Sequence, residues 1–127
     1  MEILFLIGRF FFGALFILNG IDHLLHNTKL SLYAQSKNVP MPRIAVFATG
    51  IMIIFGGVGI ILGIYTKLSV LLLVLFLAGT LYKVHSFWRE DDPAKYASEK
   101  SQFLKNLALL GAALMFLSIL SPWSLSL

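Results

Sequence analysis

The sequence contains no cysteine. That excludes disulfide exchange by the chain's own thiols, and with it the dithiol mechanism of small four-helix disulfide-generating membrane enzymes. It also removes thiolate ligation of metals and of iron–sulfur clusters. Charge is scarce as well: 13% of the 127 residues are charged, against about 25% in soluble domains. No ten-residue stretch alternates in the manner of a barrel strand, which leaves helices as the spanning element. No repeat or low-complexity tract is present. The N-terminus lacks a positive leader, since Glu2 stands there, and no small-residue cleavage pattern closes the first apolar run. That run is expected to be a retained helix.

What is abundant is apolar: 58% of residues are hydrophobic and mean hydropathy is +0.87. The chain reads as an integral membrane protein of one domain. Net charge is +4 with a pI near 9.6, yet the basic residues are dispersed between apolar runs. They suit topology signals and anionic-lipid contacts, so the bilayer is the expected partner and nucleic acid is not.

Four apolar runs, about 3–25, 44–65, 68–88 and 103–120, each approach the ~20 residues needed to cross the hydrocarbon core. The expected fold is all-α, four transmembrane helices in an antiparallel bundle. His26–Arg43 joins the first two runs and holds the Val39-Pro40-Met41-Pro42 breaker, with Pro42 suited to start a helix. A tight turn at Tyr65-Thr66-Lys67 joins the next two and makes them antiparallel neighbours. The last connection, Arg89–Gln102, is charged and is expected to hold at most a short interfacial helix from Pro93 to Lys100. Eight basic residues lie at the first and third connections, against Lys67 and Arg9 on the other side. That asymmetry places the first and third connections in the cytoplasm and both termini outside. The sequence leaves Arg9 free to snorkel outward or to pair inside the bundle.

Helix-spaced polar residues mark the cytoplasmic end. Asn19, Asp22, His23 and His26 fall at roughly 0°, 300°, 40° and 340° around the first helix, on one face. A charged group near the bilayer centre costs roughly 2.5–3.5 kcal/mol on insertion scales, so the stripe must face protein, water or headgroups. Lys83, His85 and Trp88 close the third run, and Gln102, Lys105 and Asn106 open the fourth. Antiparallel threading brings these groups to one depth. The candidate ligand-binding residues are Asn19, Asp22, His23, His85, Trp88, Lys105 and Asn106. The bland alternative is helix-end residues solvated by headgroups, with Lys83 and Lys105 snorkelling and Asp22 and His26 satisfying each other at i,i+4. A pocket with Tyr82, Phe87 and Trp88 for its wall would suit a quinone headgroup, hydrogen-bonded by His85 or His23. Metal ligation by His23, His26, His85 and Asp22, or haem held by His23 and His85, is a weaker fit because no metal-ligand spacing is present. Glycines at 8, 13, 20, 56, 57, 59 and 63, with Ala108, Gly111 and Ala112, are expected to let helix backbones approach, or to make a homodimer face.

Over essentially its whole length the chain resembles the DoxX family of small bacterial four-helix membrane proteins. The carrying pieces are Gly8-Arg9, Gly13, Phe16 and Asn19-Gly20; Gly50, Phe55-Gly56-Gly57 and Leu62-Gly63-Ile64-Tyr65-Thr66-Lys67; His85-Ser86-Phe87-Trp88; and Phe103 through Gly111. The chain departs from the family at Ile53, where relatives often carry glutamate three residues after Gly50. The resemblance implies one DoxX-like domain over residues 1–127 in the inner membrane, tied to redox or oxidative-stress metabolism as a quinone-interacting subunit of an oxidoreductase complex. The competing class is a non-enzymatic scaffold or small-molecule carrier without a redox cofactor. Whether the protein is an enzyme, and which oxidoreductase subunits or second copy it would meet, is not written in the residues.

Overall fold

The computed structural model describes residues 1–119 and 121–126 and is all-helical. Among the described residues five α-helices run in order: α1 (Glu2–Leu25), α2 (Asn27–Ser36), α3 (Pro42–Leu62), α4 (Thr66–Lys83) and α5 (Pro93–Phe116). A 3-10 turn, Phe87–Arg89, lies between α4 and α5. Among the described residues, three segments are long and apolar enough to cross a membrane: α1, α3 and α4 with its continuation to Arg89. Lipid-facing side chains are what such spans require, and Ile3, Phe10, Phe11, Phe55 and Leu75 are each more than half exposed.

Three elements differ from the sequence expectation. The connection after the first span is not irregular: α2 fills most of it, burying Ser31 and Ala34 against the bundle. Its ten residues have a mean polarity that hides it in a hydropathy profile, and so short a helix is stable only through tertiary packing, here mainly on α3. The third run ends early, with Val84 capping α4, so His85 and Trp88 leave the helix. The fourth helix begins ten residues before the apolar run. Asp92 accepts from the Ala94 backbone N–H at 3.4 Å and Pro93 occupies the first turn, a start signal that carries the helix unbroken through Lys100 and into the apolar stretch.

Close helix contact is concentrated between α1 and α3. A Cβ on Gly13 would lie 2.6 Å from the Gly57 carbonyl oxygen, and one on Gly20 2.7 Å from that of Gly50. On the far side of α3, a Cβ on Gly59 would lie 1.8 Å from Ser69 Oγ of α4. Gly63 has a different part from the helix-packing one expected of it. It ends α3 in the left-handed region (φ 71°), its N–H and that of Ile64 both reaching the Gly59 carbonyl. A Cβ on Gly8 or Gly111 would meet nothing within 4 Å among the described residues, so neither serves a close helix approach there.

The core joins Phe16, Ile53, Ile60, Val70, Leu73, Leu77, Ala113 and Trp123. Ile53 is fully buried there. At the position where the resemblance implies a glutamate, this chain uses an aliphatic packing residue. α1 meets α5 through aromatic rings, Phe12 to Phe116 at 5.0 Å and Phe5 to Phe116 at 6.5 Å, without close backbone approach among the described residues. The two helices are therefore propped apart, and the space between them opens toward the end that carries Asn19, His23, Lys105 and Asn106.

Candidate functional site

That space is a cavity of about 460 Å³ reached by side chains of α1 to α5. Its walls are apolar, from Phe16, Met52, Leu75, Phe76, Leu77 and Leu109 among others, while its polar groups come from five helices and the link after α4. Asn19, His23, His85, Lys105 and Asn106, five of the seven residues expected to share a pocket, line it, together with Lys83 and Gln102.

Two of the seven do not. Asp22 turns outward and pairs with His26 at 3.6 Å, both side chains more than half exposed. The i,i+4 geometry satisfies this carboxylate on its own helix, so nothing draws it inward. Trp88 is half exposed and stacks edge-on with Phe87 and Phe103, at 5.4 and 5.6 Å. Because α4 ends at Lys83, the 3-10 turn carries Trp88 to the outer surface rather than to the cavity wall.

Each imidazole of the cavity is fixed by its Nδ1. That of His23 lies 3.1 Å from the Val46 carbonyl oxygen and 3.1 Å from Thr49 Oγ1, with the Phe76 ring 5.8 Å away edge-on. The Nδ1 of His85 lies 3.3 Å from Glu99 Oε2. Asn106 is 8% exposed and lines the cavity without a hydrogen-bond partner among the described residues.

Glu99 is the group sequence reasoning missed. It is 6% exposed and accepts from Tyr33 at 2.7 Å, from His85 and from Lys37 at 3.3 Å. Lys37 also pairs with Glu90. Burial pushes the Glu99 carboxyl up, but the hydrogen bonds from Tyr33, His85 and Lys37 outweigh it and hold it below the usual carboxylate range. Burial likewise works against the Lys37 ammonium, and Glu90 and Glu99 reverse the effect and raise it. Burial and the Glu99 carboxylate push the Tyr33 phenol up. The network ties α2 to α5 across the mouth of the cavity. A signal for it exists in the sequence: Glu99, Gln102 and Asn106 fall on one helix face once the helix is run back past Phe103. Reading Pro93–Lys100 as at most a short interfacial helix, separate from the fourth run, hid it.

Among the described residues no group of three His, Asp or Glu side chains converges as a metal site. The apolar walls and ring-bearing polar end instead fit a small amphipathic molecule.

Comparison with known proteins gives the family. The inner membrane protein YphA of Escherichia coli (strain K12) is 28% identical over 125 residues, covering 98% of this chain and 88% of YphA. No solved structure matches. The DoxX family profile matches residues 4–86, from the start of α1 through His85-Ser86, and so takes in the glycine seam, the αL turn at Gly63 and both cavity imidazoles. The chain belongs to the DoxX family and is a multi-pass inner-membrane protein.

Proposed function

We propose that the protein is a four-span antiparallel bundle that binds a quinone-type ring at its cytoplasmic end, serving as a small subunit in redox or oxidative-stress metabolism. The observation that carries this reading is the cavity: one space in which apolar walls meet Asn19, His23, His85, Lys105 and Asn106. A ring with polar substituents needs that combination, since its body is stabilised by burial and its oxygens only by groups that replace water.

Other features support the frame. α5 is 24 residues long and exposes Leu104, Leu107, Leu114 and Met115, an outer surface suited to lipid in a fourth span. The paired glycines 13 with 57 and 20 with 50 run in opposite order along α1 and α3, as antiparallel neighbours must. Eight of the ten basic residues lie at the end of the chain's two longer connections, which favours a cytoplasmic position for that end.

The test is to purify the protein in mild detergent, extract it for quinone, and titrate it by calorimetry with a short-tailed quinone and, under anaerobic conditions, with its hydroquinone. Saturable binding of the tighter form should weaken about tenfold or more in His85→Ala and Asn106→Ala, which each remove a cavity group. Asp22→Asn should bind like the parent. Undiminished affinity in both cavity variants, or no binding of either form by the parent, would refute the reading. Binding without any change in the ligand's oxidation state, in membranes that hold the partner dehydrogenases, would instead favour a carrier.

A further inference from the structure

The two imidazoles of the cavity are not interchangeable donors and acceptors, because the protein has already fixed where their protons sit. The Val46 carbonyl can only accept, so the His23 Nδ1 beside it carries the proton. Thr49 agrees: its hydroxyl donates to the Ala45 carbonyl at 2.7 Å, leaving its oxygen to accept from His23. At His85 the partner of Nδ1 is the Glu99 carboxylate, again an acceptor. An imidazole with its proton on Nδ1 presents a lone pair at Nε2. Neither Nε2 has a partner among the described residues, and neither is sealed from a water-sized probe.

Both rings have reason to stay neutral. The Glu99 charge facing His85 is met by Tyr33 of α2 and by Lys37, which caps that helix, and Glu90 is met by Lys37. Lys105 of α5 and Lys83 of α4 add positive charge to the same cavity. His23 faces Val46, Thr49 and Phe76, while its neighbour Asp22 points outward to His26. The remaining hydroxyls have the same polarity. Thr80 donates to the Leu77 carbonyl at 3.0 Å and Tyr33 donates to Glu99, so both turn oxygen lone pairs to any ligand. The fixed polar groups of the cavity are therefore acceptors, and donors come from the flexible Lys83 and Lys105 and from side-chain amides.

Building on the cavity reading above, we infer that the site favours the hydroxyl-bearing hydroquinone form of its ligand over the carbonyl-bearing quinone. Ligand hydroxyls would donate to His23 Nε2 and His85 Nε2. At those two positions a quinone would set carbonyl lone pairs against imidazole lone pairs, so its oxygens would have to turn to Lys83, Lys105 or a side-chain amide while both Nε2 atoms stay unpaired in a desolvated site. Glu99 and Thr49 act as positioning residues, since they hold the tautomers that create the preference.

The experiment compares three ligands of one shape in the purified protein, with protein-free micelles subtracted. They are a short-tailed 1,4-dihydroxynaphthalene kept reduced under anaerobic conditions, its quinone, and its dimethyl ether. The diol should bind at least about tenfold tighter than either of the others. His23→Phe and His85→Phe, which keep a ring but lose the acceptor, should each shrink that ratio. In Glu99→Gln the amide can donate to Nδ1 and drive the proton to Nε2, so the ratio should fall or invert. Equal affinity for the three ligands, tighter binding of the quinone, or an unchanged ratio in Glu99→Gln would overturn the inference and leave the cavity reading standing. Failure of all three to bind would overturn both.

Discussion

Arg9 lies fully buried in α1, with no carboxylate as partner among the described residues. Its charge is met by carbonyls. Nε donates to Ile60 at 3.0 Å and the terminal nitrogens to Ile61, Ser124 and Leu125, at 2.7, 2.6 and 3.3 Å. Two of these belong to the last turn of α3, whose carbonyls have no helical partner and carry the negative end of the helix dipole. Phe5 and Trp123 hold the guanidinium in place at 5.2 and 5.6 Å. Arg9→Leu should therefore destabilise the protein by about 3 kcal/mol or more, since each hydrogen bond to a charged group contributes roughly 1.5–3. Arg9→Lys should recover only part of that, because one ammonium cannot reach both segments as a planar fork does. Thermal unfolding in detergent measures both; parent-like melting of Arg9→Leu would show that the carbonyls find water instead.

Between elements, the α2–α5 tie is the feature with a pH signature. Glu99 is held below its ordinary value of 4.5, so the stability it adds is present above that pH and is lost as pH falls through the lowered folded value. The melting temperature of the parent should drop toward that of Glu99→Gln on acidification below about pH 4.5. A difference that stays constant across that range would mean Glu99 contributes by packing alone. The α1–α3 seam gives a second expectation. Gly57→Ala places a methyl 2.6 Å from the Gly13 carbonyl oxygen, which is backbone and cannot swing away. It should lower the melting temperature clearly, whereas Gly111→Ala, which meets nothing, should not.

At the scale of the molecule, the distribution of charge bears on orientation. With Arg9 occupied inside the bundle, Lys67 is the one basic residue left at the end opposite to the eight. Under that bias a C-terminal alkaline phosphatase fusion should be active and a green fluorescent protein fusion dark. The reverse pattern would place the cavity mouth outside the cytoplasm, and would separate it from soluble reductants.

Membrane character, the helical class and the polar belt were legible in the sequence, because each rests on composition or on spacing along one helix, and the family was legible as a resemblance of motifs. Hydropathy needs only a count, and the one-face placement of Asn19, His23 and His26 only the helical repeat. Which of those groups meet depended on how helices end and lean. The stop of α4 at Lys83 sends Trp88 outward, the outward pairing of Asp22 with His26 removes it from the stripe, and the backward extension of α5 brings Glu99 in. Phe12 and Phe116 prop α1 from α5 and create the space the ligand would fill. The fate of Arg9 hinged on the same thing, since its carbonyl partners lie 51 to 116 residues away in the chain. A local pattern states what a side chain can offer. Only the packed bundle decides what it faces, because hydrogen bonds and burial are settled by neighbours that the sequence does not list together.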